Sequence, residues 1–228
     1  MKQTLLTEAA ALGLPLTEEQ ARQFAAFGEA LIEKNKVMNL TAITEPLAVA
    51  KLHFADCLAL LNIEDFHEKS VIDVGCGAGF PGVPLKLGEP SIRLTLLDSL
   101  QKRVNWLRET LARLGVDAEC VAARAEEYAA RERFDIATSR AVARLNILCE
   151  LCLPFVKVGG CFLAMKAAAA EEELQEAARA ITLLGGKLER VAEYQIDGAP
   201  RRVLVIRKVR PTPPAYPRRF SKIKQQPL

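Results

Sequence analysis

The stretch VIDVGCGAGFPGVPL, residues 71–85, places four glycines and two prolines directly after a short apolar run that ends in Asp73 and Val74. A run of this kind reads as a buried strand, and the glycines as the tight turn leading from it into a helix. Outward from this point the chain alternates. SVIDV (70–74), IRLTLLD (92–98), AECVAA (118–123), FDIATS (134–139) and GCFLAM (160–165) are candidate strands, separated by helix-like segments such as LQKRVNWLRETLARLG and RLNILCELCLPFV. Alternation implies right-handed crossovers and a mainly parallel sheet with helices on both faces. After the helical stretch AAAAEEELQEAARAITLL come KLERVAEY (187–194) and RVLVIRK (202–208). Only a turn around DGAP (197–200) separates them, which predicts a hairpin. The fold class is α/β: a seven-stranded, mainly parallel sheet of the Rossmann-like kind, closed by a C-terminal hairpin.

The first sixty residues have a helical pattern. Thr17 followed by Gln20 makes a capping-box start for EEQARQFAAFGEALIEKN; KVMNLTAI interrupts it, and Pro46 precedes LAVAKLHFADCLALL. The expected organisation is a helical extension (1–62) packed on a Rossmann-like core (63–210) with a basic, proline-rich tail (211–228), a single domain overall. With 228 residues, half of them apolar and about a quarter charged, the chain can bury a full core. No apolar stretch approaches the ~18 residues of a membrane helix, and the start lacks the apolar core of a signal peptide. A cytoplasmic monomer is expected. The six cysteines (57, 76, 120, 149, 152, 161) lie mostly in apolar segments, and the Cys149/Cys152 pair lacks the second pair of a four-ligand zinc site. Buried free thiols are expected, and no metal.

The glycine loop can be framed in two ways. Gly75-Cys76-Gly77-Ala78-Gly79 is the G-x-G-x-G turn that comes after the first strand of methyltransferases using S-adenosylmethionine. Gly77-Ala78-Gly79-Phe80-Pro81-Gly82 matches the dinucleotide fingerprint. A pyrophosphate must be caught by backbone N–H groups at the helix entrance, and Pro81 and Pro84 remove two of those donors. A phosphate-free methyl donor loses little by this, and five parallel strands closed by a hairpin fit that class of enzyme. In this frame Gly75, Gly77 and Gly79 allow close backbone approach, and Asp73 faces the ammonium or sulfonium end of the cofactor. Asp98, nineteen residues after Gly79 at the end of the second strand, accepts the ribose hydroxyls or merely caps the next helix. Ala125 and Glu126, after the third strand, sit beside the adenine edge.

Residues just past the fourth strand narrow the choice of acceptor. Thr138-Ser139-Arg140-Ala141 is not the Asn/Asp-Pro-Pro-aromatic tetrapeptide of adenine amine methylation, and no Pro-Cys or Thr-Cys pair serves cytosine C5 chemistry. Ribose 2′-O transfer stays open, because Asp135, Lys166 and Glu189 or Glu193 could deprotonate a hydroxyl. Guanine N7 needs no base, since its in-plane lone pair carries no proton. Positioning alone can contribute ~7–11 kcal/mol. No catalytic residue is assigned; His67 reads as a surface residue, and His53 is kept as a candidate on the substrate side.

Several segments together resemble the bacterial small-subunit rRNA guanine-N7 methyltransferases of the RsmG (GidB) family. They are NKVMNLTAI (35–43), LHFADC (52–57), DVGCGAGFPGVPL (73–85), LLDSLQKRVNWL (96–107), SRAVA (139–143) and TPPAYPRR (212–219). The resemblance spans nearly the whole chain. It implies cofactor contacts at Gly75, Phe80, Ala125, Glu126 and Arg140, and a substrate guanine in the decoding region of 16S rRNA, in the small subunit or its precursor. Where the family usually has tryptophan, serine, glycine and proline, this chain has Lys34, Cys57, Ser221 and Ile223.

The RNA side is expected at the C-terminus. From Arg201 onward there are nine basic residues and no acidic one, so the rest of a chain with net charge +3 is acidic overall. Four prolines between 211 and 217 predict a stiff, extended tail. On it Tyr216 and Phe220 offer stacking faces, and Arg218, Arg219, Lys222 and Lys224 offer phosphate-pairing charge. Lys166, Arg201 and Arg202 are further candidates for rRNA contact. Deleting residues 218–228 is expected to weaken RNA binding while sparing cofactor affinity.

Overall fold

A computed structural model describes residues 1–140, 143–167 and 171–228. Seven strands form one sheet in the order β3-β2-β1-β4-β5-β7-β6. They are β1 Ser70–Val74, β2 Arg93–Asp98, β3 Glu119–Ala122, β4 Phe134–Arg140, β5 Val156–Ala167, β6 Gly186–Ile196 and β7 Ala199–Lys208. The first five are mutually parallel, and β7 runs antiparallel between β5 and β6. All seven predicted strands are present, and the hairpin turns through Asp197 (φ 51°) and Gly198 (φ 73°), the two positive-φ residues of a tight hairpin loop. Strand β5 starts earlier than the sequence suggests. A Cβ at Gly160 would stand 2.3 Å from the Asp135 carbonyl oxygen, so glycine at 160 lets β5 run on against β4 rather than ending it. The preceding helix stops where Pro154 denies it a donor.

The N-terminal extension comprises α1 Lys2–Ala11, α2 Glu18–Met38, α3 Pro46–Val49, a wider π turn Ala50–Ala55, and α4 Asp56–Leu58. The capping box forms: the Gln20 N–H donates to Thr17 Oγ1 (3.2 Å) and the Thr17 N–H to Gln20 Oε1 (2.9 Å). Phe24, Phe27, Leu31 and Phe54 from this extension are fully buried in one cluster with Phe80 and Trp106. Full burial of such a side chain contributes roughly 1.5–3 kcal/mol, which holds the extension as part of the core. Two helices share that face of the sheet, α5 Gly82–Gly88 and α6 Gln101–Arg113. The other face carries α7 Leu145–Cys152 and α8 Glu171–Leu183 over Phe155, Phe162, Leu204 and Ile206.

The tail is not extended. After Pro217 it forms α9 Phe220–Gln225, with Ile223 fully buried and Phe220 packed against the same cluster. Phe220 and Ile223 are three residues apart, the spacing that puts two apolar side chains on one helical face, while Lys222 and Lys224 point outward. Apolar anchoring outweighs the proline stiffness that the sequence advertises. The cysteines are free thiols; five are buried and Cys120 is half-buried. Among the described residues no helix is long and apolar enough to cross a membrane.

Candidate active site

A cavity of about 440 Å³ opens at the carboxyl ends of β1, β2 and β4. Strand β1 lies between β2 and β4, so this is the point where connections leave in opposite directions, the usual ligand crevice of an open α/β sheet. Its floor is the glycine loop. Gly75, Gly77 and Gly79 have φ of 72°, 55° and 91°, a region costly for other residues. A Cβ at Gly77 would meet only the Gly75 carbonyl, at 4.0 Å, and would otherwise project into the cavity.

Most backbone donors of this loop are committed within the fold. Gly75 and Cys76 donate to the Leu97 carbonyl, Gly79 and Phe80 to that of Cys76, and Val83 to that of Gly79. Gly77 donates to Asp98 Oδ2 (2.9 Å) and Gly82 to Asp73 Oδ2 (2.8 Å). With Pro81 and Pro84 lacking an N–H, the helix entrance offers no cluster of donors for a pyrophosphate. The loop is a cradle for a ligand held by shape and by side chains. S-adenosylmethionine fits that donor set.

Asp98 lines the cavity and accepts from Gly77 N–H and Leu100 N–H (2.8 Å). Each oxygen keeps a lone pair, so turn-capping and acceptance of a ligand hydroxyl are compatible. A second hollow of about 190 Å³ adjoins, sharing Gly75, Asp98 and Ser99 with the first and walled by Ala125, Glu126, Leu151 and Phe220. Ala125 and Glu126 therefore stand where an adenine-sized group would continue from the main cavity. Phe220, expected to stack on RNA, forms part of this wall instead, with the Arg124 guanidinium 5.8 Å from its ring centre. Deleting residues 218–228 would remove part of this wall, so a loss of cofactor affinity is expected to accompany the loss of RNA binding.

Asp73 lies elsewhere than expected. It is fully buried beneath the loop, does not line the cavity, and holds Gly82 at the entrance of α5. Its side chain leaves β1 from within the strand rather than past the strand's end. Burial pushes its carboxyl up to about 7, opposed by the Gly82 N–H, and its Oδ1 has no hydrogen-bond partner.

The opposite wall is a chain of polar contacts. Arg140, at the end of β4, donates to His53 Nδ1 (2.9 Å) and to Asp56 Oδ2 (3.3 Å), and its guanidinium lies 4.8 Å from the Phe80 ring centre. His53 stacks on Phe80 at 4.4 Å between ring centres. Burial and the Arg140 charge push the His53 imidazole down to about 3, so the ring is neutral. Arginine can only donate; Nδ1 is therefore the acceptor and Nε2 carries the proton, 2.8 Å from Thr41 Oγ1. Asp56 is buried and also accepts from the Tyr194 hydroxyl (3.0 Å). Thr41 and Asp56 are members of this site that the sequence reading does not single out, although NLTAI and LHFADC contain them, and Phe220 is one that it assigns to RNA instead.

The cations expected to meet RNA largely have internal partners. Lys166 pairs with Glu173 (2.6 Å) and donates to the Ala143 carbonyl, Arg201 lies 3.5 Å from Asp56, and Arg202 pairs with Glu193 (2.8 Å). Arg218 makes a fork onto Glu150 of α7, with Nε at 2.8 Å and a second nitrogen at 2.5 Å. Arg219, Lys222 and Lys224 are exposed. His67 is a surface residue beside Glu89. The residues considered for hydroxyl deprotonation are dispersed: Asp135 binds Ser70 and Lys157 at the amino end of the sheet, and Glu189 pairs with Arg207.

Residues 20–204 match the family described as rRNA small subunit methyltransferase G (GidB). The chain is 44% identical over 238 residues to the ribosomal RNA small subunit methyltransferase G of Pelotomaculum thermopropionicum, covering all of this chain and 99% of that one. It is 45% identical over 224 residues to the protein of the same name from a Geobacillus species, covering 95% and 94%. Among solved structures it is similar to a SAM dependent methyltransferase from Aquifex aeolicus, with a TM-score of 0.55, 17% identity, and coverage of 71% and 93%. A mitomycin 7-O-methyltransferase gives a TM-score of 0.58 at 18% identity, with coverage of 80% and 60%; both likenesses speak to the fold. From the glycine cradle to the match along most of its length, the chain belongs to the rRNA small subunit methyltransferase G family.

Proposed function

We propose that the protein methylates N7 of a guanine in small-subunit (16S) rRNA with S-adenosylmethionine as donor. When bound, that cofactor supplies an electrophilic methyl group. Gly75, Gly77 and Gly79 would take its backbone-facing side, Asp98 its ribose hydroxyls, Ala125 and Glu126 its adenine edge, and Arg140 its carboxylate. The chain's part is to align, desolvate and fix.

One observation carries the choice of acceptor: among the described residues the cavity has no side chain free to take a proton from substrate. The His53 acceptor nitrogen is occupied by Arg140, Cys76 is held well above its ordinary thiol pKa by burial and nearby carboxylates, and the lone pairs that Asp98 keeps beside its two backbone donors would go to the cofactor's ribose hydroxyls. A nucleophile that sheds no proton fits such a site, and guanine N7 is one. The exposed Arg219, just before α9, and Lys222 and Lys224 on it support an RNA partner.

The single-turnover transfer rate is expected to be level between about pH 6 and 8.5, because no general base has to ionise. His53 stays neutral throughout, gaining a proton only as the pH falls toward 3. Asp73, near 7, has no exposed atom through which to exchange a proton with substrate. A rate rising tenfold per pH unit over this window would indicate a hydroxyl or amine acceptor and contradict the reading.

A further inference from the structure

We propose that the Thr41 hydroxyl donates a hydrogen bond to O6 of the target guanine, so that Thr41 is a specificity-determining residue for the base. The inference rests on the guanine-N7 reading above and adds to it the group that tells guanine from adenine.

Donor and acceptor capacities fix which way this hydroxyl can point its proton. Thr41 lines the cavity together with Leu40 and His53. Its Oγ1 receives the His53 Nε2–H at 2.8 Å, a direction fixed by Arg140 on the other ring nitrogen. It also receives the Ile43 N–H at 3.0 Å. A hydroxyl has two lone pairs and one proton; both lone pairs are taken, so the O–H must donate outward. Its direction is set by the backbone as well. Asn35 Oδ1 accepts from Leu40 N–H (2.6 Å) and Thr41 N–H (2.8 Å), while Asn35 Nδ2 donates to the Thr41 carbonyl (2.9 Å). The NKVMNLTAI segment is thus a mount for one oriented donor.

Guanine presents O6 as an acceptor beside N7, whereas adenine presents an N6 amine there, a donor. A fixed donor welcomes the first and opposes the second. The donor is also neutral, and the His53 behind it is uncharged, so it adds no positive charge beside a base that becomes cationic on methylation. Arg140, permanently charged, is the better partner for the cofactor carboxylate.

The test compares wild type, Thr41→Val and Thr41→Ser on small subunits reconstituted with rRNA carrying either guanine or 2-aminopurine, which lacks O6, at the target position. Taking the guanine to 2-aminopurine ratio of kcat/KM cancels the intrinsic reactivity of the two bases. Thr41→Val is expected to reduce this ratio about 10- to 100-fold, Thr41→Ser to keep it within about threefold, and both to bind S-adenosylmethionine within about twofold of wild type by calorimetry. An unchanged ratio in Thr41→Val overturns the proposal. So does a loss of cofactor affinity matching the loss in transfer, which would assign the hydroxyl to the cofactor. A wild-type product other than N7-methylguanosine overturns the underlying reading; N7-methylguanosine with an unchanged ratio overturns the Thr41 assignment alone.

Discussion

Replacing Arg140 by alanine is expected to lower kcat/KM for rRNA methylation by about 10²–10³-fold while leaving the protein folded. The guanidinium does three things at once: it fixes the His53 tautomer through Nδ1, neutralises Asp56, and lies over Phe80 at the rim of the cavity. Charge-assisted hydrogen bonds contribute about 1.5–3 kcal/mol each, and removing one that positions the reactants appears directly in kcat/KM. Without it His53 can turn its proton to either nitrogen, and Thr41 loses its defined donor. Asp56 keeps the Tyr194 hydroxyl and Arg201, so the melting temperature falls far less than activity. Arg140→Lys is expected to recover less than tenfold of the loss, because one ammonium cannot span acceptors that a planar fork reaches together. Steady-state kinetics with a thermal melt on each variant checks this; activity within about threefold of wild type in Arg140→Ala would contradict it.

Arg218→Ala is expected to cost about 3–5 kcal/mol of folding free energy, the penalty for leaving a buried carboxylate without its cation. Glu150 is fully buried on α7 and takes three donors from Arg218: the backbone N–H at 2.9 Å and two guanidinium nitrogens. For a chain of this length that corresponds to a fall of roughly 6–20 °C in Tm. Adding Glu150→Gln removes the stranded charge and is expected to restore part of the loss. Loosening this anchor also frees α9, so cofactor affinity is expected to fall as Phe220 leaves the adenine-side wall. A Tm within about 1 °C of wild type would show that the ion pair holds nothing in place.

The strands are legible in the sequence because strands are short β-branched or apolar runs, and all seven are present, although β5 begins at Val156 rather than at Gly160. The glycine loop is legible for the same kind of reason: positive φ at alternate positions requires glycine, and the two prolines forecast a helix entrance poor in donors. What escapes is whatever depends on partners distant along the chain. The closeness of Asp73 to the glycines suggests a ligand contact, but its place inside β1 turns it under the loop instead of into the cavity. Lys166, Arg201, Arg202 and Arg218 announce their charge and not the carboxylates they meet. The tail's prolines speak louder than the spacing of Phe220 and Ile223. Arg140 enters only through family resemblance, because its partners His53 and Asp56 lie more than eighty residues earlier.

The most direct test is to incubate the full-length protein with S-adenosylmethionine carrying a tritiated methyl group and small ribosomal subunits lacking the modification, then digest the rRNA to nucleosides. The structure and the family together lead us to expect the label in N7-methylguanosine. Label in a ribose-methylated nucleoside, in a methylated adenine or cytosine, or in protein alone would contradict the account.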